Sequence, residues 1–105
     1  MDIRQLNALV AVVDHGTFSA AANALHTVQS NVSTHILRLE RELDVSLIDR
    51  TSGTLTEEGI LVVERARRIQ TELEAIALDV TALHSEVSGL VKLGLIGTTG
   101  RWLSP

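Results

Sequence analysis

The chain has 105 residues, 45% of them apolar and none of them cysteine, with a formal net charge of −4. That suffices for one small globular domain and an appendage, and it excludes a disulfide framework or a thiolate zinc site. No apolar run is long enough to span a bilayer, and Asp2 stands where a signal peptide needs positive charge, so the expected partners include no membrane and the expected location is cytoplasmic.

Asp2 can cap a first helix. Leu6, Leu9, Val10 and Val13 fall at i, i+3, i+4 and i+7, one buried stripe, and His15-Gly16 ends the helix with a left-handed residue. Thr17 caps a second helix, Ser19 to Leu25, whose alanines at 20, 21, 22 and 24 permit close approach to a neighbour. Phe18 reads as a core aromatic plugging the junction of these two helices.

His26-Thr27-Val28 is a turn without the usual glycine, and Thr27 is the best side-chain acceptor to cap the third helix. His26 reads as a structural or solvated turn residue rather than a ligand. The third helix runs from Gln29 past Leu39. Val32, Ile36, Leu37 and Leu39 face inward, and Leu43 packs at its end. Gln29, Ser30, Asn31, Ser33, Thr34, His35 and Arg38 face outward or sideways, and no Asp or Glu occurs from His15 to Leu39. Short hydrogen-bonding side chains on a helix free of acid are what the DNA major groove requires.

Val45 to Ile48 can form a strand, Arg50 to Thr54 a turn and Leu55 the return. The expected fold is therefore mostly α: a winged helix-turn-helix, three helices plus a small β-hairpin wing, over residues 1–58, followed by a long linker helix over 59–88.

Thr56 caps that long helix, with Glu57 and Glu58 in its first turn, where the helix dipole favours them. Ala66, Ile69, Leu73, Ile76, Val80, Leu83 and Val87 alternate in spacings of three and four, an a/d heptad seam. The core of the domain is expected to end near Ile60, so the seam needs a partner, and a second copy is the simplest. Glu72, Asp79 and Glu86 occupy g positions, so the residues alone do not choose parallel or antiparallel pairing. Ser88-Gly89 stops the helix, and Leu90 to Ile96 reads as a strand. A lone strand forms no sheet, so 89–105 reads as the start of a domain that this chain lacks.

Other chemistry finds no footing. Gly94, Gly97 and Gly100 follow a strand, but too few residues remain for the helix that a phosphate loop requires. The four histidines show no zinc spacing, and no nucleophile motif links Ser to His. Trp102 reads as a residue of the missing core rather than a stacking platform. Neither an enzyme nor a cofactor nor a metal is expected in this chain.

An ordered series of residues carries a resemblance. Leu6 and Leu9 open it, followed by Gly16-Thr17-Phe18-Ser19-Ala20-Ala21-Ala22 and Leu25-His26. Gln29, Val32, Ser33, Ile36, Leu39-Glu40, Leu43, Leu47-Ile48-Asp49-Arg50 and Leu55-Thr56-Glu57-Glu58-Gly59 complete it. In these the first ninety residues resemble the DNA-binding half of LysR-type transcriptional regulators. Gly89 to Gly94 matches the start of that family's effector-binding domain, where a small-molecule effector is expected.

The resemblance implies a homodimer or homotetramer paired through the long helices, commonly antiparallel, on double-stranded promoter DNA. RNA polymerase is a further partner that fits such a regulator. Gln29, Ser30, Ser33 and Thr34 would contact bases or neighbouring phosphates, with Thr27, Asn31 and His35 beside them. Arg38 would contact phosphate. Arg50 would anchor the wing, with Thr51, Ser52 and Thr54 near the DNA backbone.

The family usually has Ser at 28 and Pro at 30, where this chain has Val28 and Ser30, and often a cation at 34, where it has Thr34. The wing is also short, with no second basic residue. These departures imply fewer phosphate contacts and a shallower salt dependence. An alternative from another class is an interaction module that pairs through the linker helix with a full-length relative.

Overall fold

The computed structural model describes residues 1–90, with side chains through residue 85. Four helices are found there: α1 (Ile3–His15), α2 (Phe18–Ala24), α3 (Gln29–Leu43) and α4 (Glu57–Leu90). Met1–Ile69 forms one compact unit, and the described residues from Gln70 onward belong to another.

The helix ends of the first unit follow from local chemistry. Asp2 caps α1 by accepting from the Gln5 N–H, and the Gln5 side chain accepts in return from the Asp2 N–H, a reciprocal capping box. Gly16 closes α1 at φ +90°, where a side chain is disfavoured. Thr17 Oγ1 caps α2 at the Ala20 N–H, 3.0 Å away. Between α2 and α3, His26 takes the left-handed conformation that glycine would fill more easily, φ +58°.

The start of α3 corrects an expectation. Thr27 does not cap it: the N-cap is Val28, which has no side-chain acceptor, and Thr27 Oγ1 instead accepts from Asn31 Nδ2 at 2.7 Å.

The core is built by α1, α2 and α3 packing on one another, with Leu9, Ile36, Leu39, Leu47 and Val32 its largest fully buried side chains. Ala21 and Ala22 are buried, as a closely approached α2 requires. Two positions expected in the core lie outside it. Val13 is exposed, and the buried surface of α1 instead includes Ala8, Ala11 and Val12; Leu37 is 41% exposed.

Two residues of α4 lie inside. Val63 and Ala66 belong to the core, whereas Ile60 is 53% exposed, so the core does not end near Ile60 and the compact unit continues past residue 58. Ala66, at 1% exposure, is thereby withdrawn from the a/d seam, because its methyl group already packs against its own chain.

The wing is smaller than a two-stranded hairpin. Among the described residues it is a single antiparallel bridge, Ile48 to Leu55, closed by a tight loop. Asp49 organises that loop, since its carboxylate accepts from the Thr51 N–H at 2.9 Å and the Ser52 N–H at 3.4 Å. Its own N–H donates to Thr54 and its carbonyl accepts from Gly53. These side-chain and backbone bonds close the turn between the two bridged residues.

Thr56 then caps α4, as expected. Its Oγ1 accepts from the Gly59 N–H at 2.9 Å and donates to the Ser46 carbonyl at 2.6 Å. Helix α4 continues through Gly89 to Leu90, beyond the expected stop at Ser88-Gly89. Beyond Leu90, the expected strand and the start of a missing domain lie outside the described residues, and so does the side chain of Val87.

Candidate nucleic-acid interface

Helix α3 presents two unlike faces. Val32, Ile36 and Leu39 hold it in the core, while Gln29, Ser30, Asn31, Thr34 and Arg38 are exposed and Ser33 and His35 are half-buried at the boundary. Thr27 is half-buried in the preceding turn. Anchoring by three aliphatic side chains leaves the opposite side open along the first three turns. That side is polar without acid, so it can donate and accept hydrogen bonds at base edges and does not repel phosphate.

Arg38 makes no ion pair among the described residues, and neither does Arg41 one turn further on. Arg41 was not singled out from the sequence, although its i+3 spacing from Arg38 on an exposed face was the available signal. Two free guanidinium groups on one helix are suited to phosphate oxygens.

The wing residues Arg50, Thr51, Ser52 and Thr54 are all exposed. The hydroxyls of Ser52 and Thr54 lie 2.8 Å apart and bond to each other. Asp49 holds the backbone amides of Thr51 and Ser52, and those bonds keep its carboxyl below the usual carboxylate range. Arg50 is engaged with its own chain: it pairs with Glu40 at 3.1 Å and donates to the Ile48 carbonyl at 3.0 Å. Sequence reasoning missed this tie, because no periodicity links residues ten apart on different elements.

Two further acidic residues, one of them in the last turn of α3, are also engaged. Glu42 receives the N-terminal ammonium group, and Asp14 at the end of α1 pairs with Arg67 of α4 at 2.7 Å. The Arg67 guanidinium holds the Asp14 carboxyl below its usual range. On α4, Ile69, Leu73, Ile76, Val80 and Leu83 are all exposed, an apolar series along one helix. No helix is long and apolar enough to cross a membrane, and no cluster of metal-ligating side chains occurs among the described residues.

Comparison with known proteins agrees with this geometry. The hydrogen peroxide-inducible genes activator of Pectobacterium carotovorum is 38% identical over 107 residues, covering 100% of this chain and 35% of that protein. The DNA-binding transcriptional dual regulator OxyR of Escherichia coli K12 is 37% identical with the same coverage. The chain thus spans about a third of the length of these curated relatives.

Among solved structures, the BenM DNA-binding domain in complex with catB site 1 DNA superposes with a TM-score of 0.75 at 30% identity, over 82% of this chain and 95% of that one. The CbnR DNA-binding domain–DNA complex gives 0.67 at 34% identity, over 81% and 99%. The sequence profile described as "Bacterial regulatory helix-turn-helix protein, lysR family" matches residues 3–60. More than half of the chain is matched, and the chain belongs to the LysR family of bacterial regulatory helix-turn-helix proteins, with the winged helix-turn-helix fold of its DNA-binding domains.

Proposed function

We propose that this chain is the DNA-binding and dimerisation part of a sequence-specific transcription regulator that acts in the cytoplasm. Helix α3 enters the major groove. Gln29, Ser30 and Thr34 read base edges there, with Asn31, Ser33 and His35 at the margins, and Arg38 and Arg41 pair with phosphates. Thr51, Ser52 and Thr54 approach the neighbouring backbone.

The observation that carries this reading is the exposed face of α3 over its first three turns, free of acid from Gln29 to Leu39 and anchored from behind by Val32, Ile36 and Leu39. The likeness to two DNA-complexed domains supports it. Pairing of two copies through Ile69, Leu73, Ile76, Val80 and Leu83, extended by Val87, would place two reading helices on one duplex, as a dimer or within a tetramer. In a longer regulator, an effector domain and contact with RNA polymerase would add to this part.

The test is enrichment of duplexes from a randomised library by the chain, followed by fluorescence anisotropy on the enriched duplex and a scrambled one. Preference for the enriched duplex at moderate salt is expected, and equal affinity for both would contradict the proposal.

A second reading, an interaction module that pairs with a longer relative, is favoured by the exposed apolar series on α4 and by a wing whose amides Asp49 already holds. A dimer that binds neither duplex would favour it.

A further inference from the structure

The Glu40 side chain joins the reading helix to the wing. Its Oε2 accepts from the Leu47 N–H at 2.7 Å and the Ile48 N–H at 3.3 Å. Arg50 donates to it through Nη1 at 3.3 Å and to Oε1 through Nη2 at 3.1 Å. Arg50 Nη1 also donates to the Ile48 carbonyl at 3.0 Å, and its guanidinium lies 6.0 Å from the centre of the Phe18 ring at the start of α2. Three elements therefore meet at one ion pair. The Glu40 side chain is only 12% exposed, against 46% for Arg50.

Arg50 is the sole cation of the wing loop 49–54, and position alone would assign it to a phosphate. The geometry argues otherwise. A guanidinium that turned to phosphate would abandon a largely buried carboxylate, and a buried charge without its partner is strongly disfavoured. The two-pronged pairing also fixes the plane of the fork, and with it the start of the wing. Besides the Asp49 carboxylate, which holds the Thr51 and Ser52 amides, the wing's remaining polar side chains that face outward are neutral hydroxyls.

We infer that Glu40 and Arg50 are positioning residues: together they fix the wing against α3 so that Thr51, Ser52 and Thr54 meet the DNA backbone, and neither pairs with phosphate. The inference rests on the proposed DNA-binding function.

The two roles of Arg50 make opposite predictions. A phosphate contact survives Arg50→Lys, is strengthened or unchanged when Glu40→Gln frees the guanidinium, and disappears in Arg50→Gln with a drop of about 0.9 in the log–log salt slope. A positioning role fails in all three variants. Lysine is a single point charge and cannot bridge both Glu40 oxygens and the Ile48 carbonyl together.

The experiment is anisotropy of the 105-residue chain and these variants on the duplex enriched by the wild type, across a salt series, with circular dichroism to check folding. The expected result is about tenfold weaker binding by Glu40→Gln and by Arg50→Lys, the size of one lost hydrogen bond, with the wild-type salt slope retained. Should Glu40→Gln not fold, Arg50→Lys carries the test. Wild-type affinity in Arg50→Lys, or a shallower slope in Arg50→Gln, would overturn the inference. A wild-type chain that enriches no duplex would instead overturn the DNA-binding function itself, and this inference with it.

Discussion

The carbonyl of Leu47 lies so close to Gly59 that a Cβ built on the glycine would sit 2.1 Å from the Leu47 oxygen. The approach follows from the link just before it, where the Thr56 N–H donates to that same oxygen at 3.0 Å. The first turn of α4 is thereby pressed onto the buried Leu47 backbone, and the neighbour is main chain, which cannot swing aside. Gly59→Ala is therefore expected to destabilise the first unit by about 1–3 kcal/mol despite alanine's better helix propensity, the range of an overpacked core site. Chemical denaturation followed by circular dichroism checks it, and a variant as stable as the wild type would refute the contact.

Val28 leaves the first turn of α3 without a side-chain acceptor, and it is exposed. Val28→Ser supplies one in the extended backbone conformation that N-caps adopt. Stabilisation by about 0.5–2 kcal/mol is expected. An unchanged or lower melting temperature would refute the gain expected from a side-chain cap.

Glu40 also sets a pH dependence. Burial raises its carboxyl pKa, but the Leu47 N–H, the Arg50 guanidinium and the Ile48 N–H lower it by more, so the net shift is below the ordinary value of 4.5. A carboxyl whose pKa is lower in the folded state favours folding above its unfolded value and loses that contribution as pH falls through the folded one. Wild type should therefore exceed Glu40→Gln in stability at neutral pH, and the difference should shrink as pH falls below 4.5. A difference independent of pH would show that the glutamine's altered hydrogen bonding, not the charge, is responsible.

The caps of the fold were legible in the sequence because they are local. Asp2, Gly16, Thr17 and Thr56 each act on residues a few positions away, and each does so as its type suggests. Periodicity also placed Val32, Ile36 and Leu39 inward, and with them the exposed face of α3. It failed where neighbours decide. Leu37 has the right type for the core, but no element covers it, whereas Ala66 fits a heptad yet is claimed by its own core. Thr27 looked like a cap, but Asn31 one turn on offered it a nearer donor. The Glu40–Arg50 pair joins different elements, which no local pattern reveals.

The exposed series on α4 predicts association. Leu73 is 47% exposed, so replacing it by aspartate should do little to the folding of a single chain. In a paired seam the same change places a charge in an apolar interface. Leu73→Asp is expected to give monomers in sedimentation and to abolish tight DNA binding, since two half-sites about 34 Å apart need two linked reading helices. A persistent dimer would place the interface elsewhere.

The most direct measurement is a base-substitution scan of the enriched duplex with the wild type and Gln29→Ala. Single substitutions under α3 should cost the wild type about 1–3 kcal/mol each. In Gln29→Ala the penalty should vanish at the base pair that Gln29 reads and persist at the others. An unchanged penalty profile in Gln29→Ala, at equal affinity, would contradict base reading by the exposed face of α3.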